Sequence, residues 1–457
     1  MNRIAKRTFC ALFLALVLVL GLVFFLVEYA LDAKQWVVFP GSPHVYRGAN
    51  LDCGIITDRS GLTLLDSTDG RVYHDDATVR KATLHLLGDR YGYISASALA
   101  GFSDKIVGFD YLNGLYTTSG TGGTATLTIS AAAQTAALEA LGGKKGTVAV
   151  YNYKTGEILC AVTSPTYDPD NEPDIAGDTT GAYDGVYVNR FLQATYTPGS
   201  IFKVATSAAA LSEIPGIEER TFTCEGSYSV SGTSVTCPRS HGQQTLRQAL
   251  AVSCNCVFAQ ISLELGKDTL SAYVQRFCLT EPCALDGTTT AGGTFDLSDA
   301  DDAGIAWSGI GQYTDLVGPC RFLQFMGQIA GGGTAAEPYL VRSVSSGPLS
   351  GYHAKTTMTD RILSTSTATK LQSLMRHCVI NTYGDSNFPD IQVCGKSGTA
   401  QVGDHQQPNA TFAGFSMDED YPLAFVVFVE DAGSGSGICV PILSRVLPVC
   451  MEALDAE

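Results

Sequence analysis

A serine that attacks a carbonyl needs a base for its proton and a group to collect the developing negative charge. Three short segments supply these parts in order: Ser200-Ile201-Phe202-Lys203, Ser253-Cys254-Asn255 and Lys396-Ser397-Gly398-Thr399. Ser200 follows Tyr196-Thr197-Pro198-Gly199, a turn signal, and precedes an apolar run to Leu211 that reads as a buried helix. It stands at a helix start, where unpaired N–H groups favour negative charge. Lys203 follows one turn later on the same face. It sits between Phe202 and Val204, in a helix with almost no polar side to carry it to water. Burial disfavours the charged form of a lysine and lowers its pKa, so Lys203 is suited to take the serine's proton.

The other two segments are each ambiguous alone. Ser253-Cys254-Asn255 breaks two apolar helical stretches, 245–252 and 257–265, and such a break can be an ordinary capping turn. It can equally present Ser253 to a cleft as a proton relay and Asn255 as a partner for a lysine and a substrate amide. Lys396-Ser397-Gly398-Thr399 follows a strand-like run from Ile391. It can be a strand ending in a turn. A strand edge carrying a lysine, a hydroxyl and a close-approach glycine also suits a carboxylate-bearing peptide laid alongside it. The N–H groups of Thr399 and Ser200 can then meet an oxyanion. Joint occurrence and order decide: 53 residues separate Ser200 from Ser253, and 143 separate Ser253 from Lys396.

Elements able to position these residues can be read on either side. Residues 28–123 are Gly-rich, short-stranded and irregular, with a Gly/Thr/Ser linker at 117–124. Thr126–Ile129 alternates like a strand, and Ala131–Leu141 reads as a short helix. Residues 146–151 and 157–162 form a hairpin around Lys154-Thr155-Gly156. A helix-rich middle spans about 198–377. Strands at 412–415 and 423–429 follow, then a loop at 433–437 and a closing helix around 443–454. Strands, helices, then strands and a helix describe an α+β fold: a sheet with helices on its faces plus an all-helical lobe.

With 457 residues, 45% apolar and 16% charged, the chain is globular with room for two or three domains. Its net charge of −16 argues against nucleic-acid binding. Residues 9–27 are an unbroken apolar run of 19, preceded by Arg3, Lys6 and Arg7. That length spans a bilayer as a helix, with the basic flank in the cytoplasm and the remainder outside. The residues after the run offer no convincing small-x-small cleavage site, which favours an uncleaved anchor over a signal peptide. Of the fourteen cysteines, Cys224 and Cys237 bracket a hairpin-like stretch and can pair. There is no CxxC, and the seven histidines do not cluster with cysteines in sequence, so no metal and no cofactor is expected.

The three segments together resemble those of serine β-lactamases and penicillin-binding proteins. Tyr196–Lys203, the Cys224…Cys237…His241-Gly242 spacing, Ala249–Asn255, Gly309-Ile310-Gly311-Gln312, Asp58-Arg59-Ser60-Gly61 and Pro165–Pro169 are similar to monofunctional, class B penicillin-binding transpeptidases. The resemblance implies a penicillin-binding transpeptidase domain over 124–457 behind a cytoplasmic tail (1–8), a transmembrane anchor (9–27) and a β-rich non-catalytic module (28–123). It implies Ser200 as acylated nucleophile, Lys203 as base, and Ser253 and Asn255 as relay and substrate holder. Lys396, Ser397, Gly398 and Thr399 would bind the substrate carboxylate and shape the oxyanion hole. The implied reaction cleaves D-Ala-D-Ala of a peptidoglycan stem, releases D-Ala and passes the acyl group to a neighbouring stem's amine. β-Lactams would acylate the same serine, and a separate glycosyltransferase and other wall-synthesis proteins would be partners. The alternatives are a D,D-carboxypeptidase or β-lactamase-like hydrolase, with water as acceptor, and a β-lactam sensor or inactive scaffold. One departure stands out: Asn409-Ala410-Thr411-Phe412 replaces a His-Ala-Trp-Phe-like run, which puts acceptor-side contacts in question.

Overall fold

The computed structural model describes residues 2–37, 46–47, 50–51, 54–68, 70–95, 97–107, 109–110, 115–116, 122–346, 350–403 and 407–456. Most of the expected linker at 117–124 lies outside them. The apolar run is the middle of one helix, Asn2–Val37. The most apolar 18-residue window within Arg3–Ala33 has a mean hydropathy of 3.2, and no part of it is covered by protein. Uncovered leucine, valine and phenylalanine over that length suit hydrocarbon rather than water. A second apolar helix, Gly435–Asp455, is different: it packs on the strand Asn409–Ser416 and the helix Ala131–Leu141 as a core element. It starts two residues earlier than the end of the loop expected at 433–437, with Ser434 capping Gly437 N at 3.3 Å.

The main sheet has five antiparallel strands in the order Ile158–Ser164, Gly146–Asn152, Leu423–Val429, Asn409–Ser416 and Val393–Ala400. The hairpin read from Lys154-Thr155-Gly156 forms its far edge. Leu423–Val429 is a continuous Leu/Ala/Phe/Val run with every residue buried, as a central strand covered on both faces should be. Helices Ala131–Leu141 and Gly435–Asp455 cover one face, and Pro319–Ala330 packs on the other. The strand carrying Lys396 is the opposite edge, and the helical lobe packs beside it.

A smaller sheet orders Ser350–His353, Val341–Ser346, Thr124–Leu127, Ile55–Thr57, Thr63–Asp66 and Val72–Tyr73. It draws strands from both sides of residue 124, so no break between sheets falls there. The hairpin-like stretch between Cys224 and Cys237 is a hairpin, Ser227–Val230 with Thr233–Thr236; a second short pair in the helix-rich middle, Phe222–Cys224 with Gly242–Gln244, was not expected.

Candidate active site

Ser200 lies in a 3-10 turn, Gly199–Phe202, that leads into the helix Lys203–Glu213. Two glycines let this turn sit against the Lys396 strand. Gly199 has φ +58, and a Cβ there would come within 3.0 Å of the Ala400 side chain. A Cβ on Gly398 would lie 2.3 Å from Thr411 Oγ1 and 2.9 Å from Pro198 O. Thr411 Oγ1 also donates to Pro198 O at 3.1 Å, tying the turn to the sheet. Thr411 and Asn409 are thus bracing residues: Asn409 Oδ1 accepts from Asp431 N at 3.2 Å, and both side chains are buried.

Lys203 is 0 % exposed. Its Nζ lies 3.0 Å from Ser200 Oγ, 2.6 Å from Asn255 Oδ1, 2.8 Å from Ser253 O and 3.2 Å from Ser253 Oγ. Burial, and then the charge of Lys396, hold Lys203 well below the ordinary lysine range. A neutral amine fits these neighbours: it accepts the Ser200 proton and donates to Asn255 Oδ1 and Ser253 O. Lys396 Nζ approaches the same Ser253 Oγ from the other side at 3.1 Å. Burial lowers Lys396 to about 8, against a weaker opposing effect of Cys378. Ser253 therefore sits between the two amines.

Local folding places it there. Thr245 and Gln248 form a capping box that starts the helix Leu246–Ala251. The chain then reverses at Ser253, whose φ of +57 is unusual for a side-chain-bearing residue, and re-enters a helix at Asn255. Asn255 Nδ2 donates to Thr236 O at 2.8 Å, which fixes the orientation of the amide and aims Oδ1 at Lys203.

A cleft of about 380 Å³ opens in front of these groups, lined among others by Ser200, Cys237, Asn255, Trp307, Gln312 and Thr399. The eight residues read from sequence thus gather at one end of the sheet, with different exposures. Thr399 lines the cleft, while Gly398 is buried under the serine turn. The Ser397 hydroxyl lies 3.0 Å from the Tyr383 phenol.

Sequence reasoning missed Tyr383. Its hydroxyl accepts the Ser397 N–H at 2.9 Å and lies 3.4 Å from Lys396 Nζ. The residue closes a π-helical turn, Val379–Tyr383, which Thr382 Oγ1 ties to Ala251 O at 2.9 Å. Burial pushes the phenol far above its ordinary pKa, so it stays protonated. No signal in Asn381-Thr382-Tyr383-Gly384 distinguishes it from a helix-ending turn. Tyr383→Phe strips the half-buried Ser397 N–H of its acceptor, a loss of about 1 kcal/mol. It is expected to slow acylation by a fluorescent penicillin roughly tenfold with the melting temperature little changed. An unchanged rate would show that Tyr383 does not position the strand.

Two expectations about cysteines are corrected. Cys224 and Cys237 are free thiols, not a pair. Nor is His241 remote from cysteines in space: Cys224, Cys237, His241 and Cys254 converge, with their ligand atoms all within 4.8 Å of one another. Most of the other cysteines are buried, as small apolar residues are.

This geometry matches a known class. Residues 146–447 match the family model described as the penicillin-binding protein transpeptidase domain, and the chain belongs to that family. It is 31% identical over 353 residues to the peptidoglycan D,D-transpeptidase PbpA of Mycolicibacterium smegmatis, covering 70% of this chain and 71% of that one. Its fold superposes on the crystal structure of PBPA from Mycobacterium tuberculosis with a TM-score of 0.76 at 26% identity, over 88% of this chain and 99% of that one. A penicillin G acyl-enzyme complex of the same M. tuberculosis protein aligns with a TM-score of 0.71 at 25% identity, over 89% and 100% of the two chains.

Proposed function

We propose that the chain is a membrane-anchored peptidoglycan D,D-transpeptidase working through a Ser200 acyl-enzyme. The observation that carries this is Ser200 Oγ at 3.0 Å from a fully buried lysine amine. Ser200 Oγ attacks the carbonyl of the penultimate D-Ala, and its proton passes to Lys203 Nζ. The oxyanion meets the N–H groups of Ser200 and Thr399. The C–N bond then breaks, and the proton moves from Lys203, with Ser253 Oγ as relay, to the departing amine of D-Ala. A neighbouring stem's amine attacks the ester and gives its proton to Lys203; the ester C–O bond breaks and Lys203 returns the proton to Ser200 Oγ, which regenerates the serine. Asn255 orients Lys203 and binds the substrate amide. Lys396, in its charged form, draws the substrate carboxylate toward Ser397, Gly398 and Thr399.

A β-lactam enters by the same attack, but its leaving amine stays tethered and the ester persists. Purified protein incubated with penicillin is expected to gain one penicillin mass by intact-mass spectrometry, and Ser200→Ala to gain none. A Ser200-independent adduct would overturn the assignment. Hydrolytic readings differ only in the acceptor; relatives named D,D-transpeptidases support an amine. Loss of wall cross-links on depletion tests this, and unchanged cross-linking would favour a hydrolase. The assembled catalytic groups weigh against an inactive scaffold or sensor.

In this reading residues 1–8 are cytoplasmic, the helix through 9–27 is the anchor, and the module at 28–123 and the transpeptidase domain at 124–457 lie outside. The basic residues Arg3, Lys6 and Arg7 before the apolar run support that orientation. Cross-linking needs glycan strands to act on, so a separate glycosyltransferase is the expected partner.

A further inference from the structure

A buried acid stands behind the serine turn with one of its oxygens unused. Asp315 is 1 % exposed. Its Oδ1 accepts from the Ser308 hydroxyl at 2.8 Å, while its Oδ2 is buried with no hydrogen-bond partner. Burial holds this carboxyl far above the ordinary carboxylate range, against the smaller pull of Ser308, and no basic side chain among the described residues offsets it. An apolar side chain would be less costly in that position. The acid is therefore explained only by what its bond to Ser308 does.

The surroundings show what that is. Ser308 ends the helix Asp302–Ser308, and Trp307, Ile310 and Gln312 of the same segment line the catalytic cleft. The chain then folds back against the serine turn. Thr206 Oγ1 donates to Gly309 O at 2.7 Å, and Gly199 N donates to Gly311 O at 2.9 Å. Gly311 has φ +78, and a Cβ there would come within 2.1 Å of Gly199 O, so the approach needs a glycine. Just past Asp315, Val317 exchanges two backbone hydrogen bonds of 2.9 Å with Tyr196. The segment leading into Ser200 is thus gripped at Tyr196 and at Gly199, and the Ser308–Asp315 bond closes the loop between the two grips.

We propose that Asp315 is a positioning residue for acylation: by binding Ser308 it locks the 308–315 loop, which fixes where Ser200 stands relative to Lys203. This rests on the Ser200 acyl-enzyme reading. Asp315 acts through Ser308 and the backbone of the loop, not on the reacting atoms. A neutral acid suits the task, because it accepts the serine hydroxyl without demanding a buried cation as partner.

The test uses the full-length protein in detergent and reads three quantities: the rate of labelling by a fluorescent penicillin, the melting temperature and amide hydrogen exchange. Asp315→Val removes the tie and the unpaired oxygen together, and the freed Ser308 hydroxyl can turn to a carbonyl of its own helix. Its melting temperature is expected to hold while acylation slows roughly five- to tenfold, the size of one hydrogen bond. Peptides covering 196–202 and 309–312 should exchange faster in that variant. Asp315→Asn keeps a neutral oxygen for Ser308 and should restore acylation to within about threefold of wild type. Ser308→Ala should slow acylation as much as Asp315→Val, and the double variant no further, because both remove the same bond. Wild-type acylation in Asp315→Val, or in Ser308→Ala if the valine variant does not fold, would overturn the proposal. So would an asparagine variant as slow as the valine one. Hydrogen exchange needs no acylation and keeps the two readings apart. Wild-type protein that does not label at Ser200 sinks the acyl-enzyme reading, whereas labelled wild type with unchanged exchange in the variants sinks the role of Asp315 alone.

Discussion

Lys203→Ala is expected to slow penicillin acylation of Ser200 by roughly 10²–10⁴-fold, the usual contribution of a positioned general base. Lys203 is the acceptor 3.0 Å from the serine oxygen, and with no exposed surface it has no water to take its place. Alanine would also leave Asn255 Oδ1 and Ser253 O facing a cavity, which adds a structural loss to the chemical one. Lys203→Met fills that volume without a basic nitrogen and separates the effects: it should lose the same activity while keeping most of the melting temperature. Lys203→Arg should not rescue, because a guanidinium stays protonated and cannot take a proton. Acylation of Lys203→Met within tenfold of wild type would remove Lys203 from the base role.

The second large effect is in pH. The second-order acylation constant is expected to fall as pH rises through about 8, where buried Lys396 gives up its proton. Below that value the ammonium is charged and attracts the substrate carboxylate; above it the attraction is gone. Lys203 works in the opposite sense, since it must be neutral to act. Burial and the Lys396 charge place its pKa well below the ordinary lysine value, so the rising limb lies at lower pH than an ordinary lysine would give. In the saturated rate the falling limb should move to higher pH, because a bound carboxylate favours the charged lysine. Lys396→Met should abolish the limb and lower the constant roughly 10- to 100-fold, given about 1.5–3 kcal/mol for a hydrogen bond to a charged group. A limb near pH 8 that survives in Lys396→Met belongs to another residue.

How much was legible in sequence depended on how far apart the interacting residues lie. Ala131–Leu141 and the hairpin at Lys154-Thr155-Gly156 appear where local pattern puts them, because periodicity and turn chemistry are short-range signals. The Ser200–Lys203 pairing was legible for the same reason: one helical turn separates the two, and the apolar flanks announce burial. Tyr383 was not, because its partner Ser397 lies 14 residues away, across a π-helical turn that no residue pattern marks. Cys224, Cys237, His241 and Cys254 are spread over a stretch whose spacing fits no common metal motif, and the pairing of Cys224 with Gly242 helps to fold them together. The smaller sheet was obscure on the same grounds, since Thr124–Leu127 pairs with Ile55–Thr57 on one side and Val341–Ser346 on the other.

The position of Val393–Ala400 at the rim of its sheet has a consequence for solubility. A rim strand normally offers a row of free N–H and C=O groups to any passing chain, a route to aggregation. In an antiparallel ladder those outward groups fall on alternate residues, here Val393, Gly395, Ser397 and Thr399. Val393 and Gly395 are buried, and the Val393 carbonyl accepts from Arg376 Nη1 at 3.0 Å. The Ser397 N–H is taken by Tyr383, and its carbonyl accepts Lys396 Nζ at 2.7 Å. Immediately beyond, the Gly199 turn covers Ala400. Of these outward residues, Thr399 is the one exposed to solvent. That is enough to grip the end of a short ligand in a single register, and too little to seed the growth of a foreign strand.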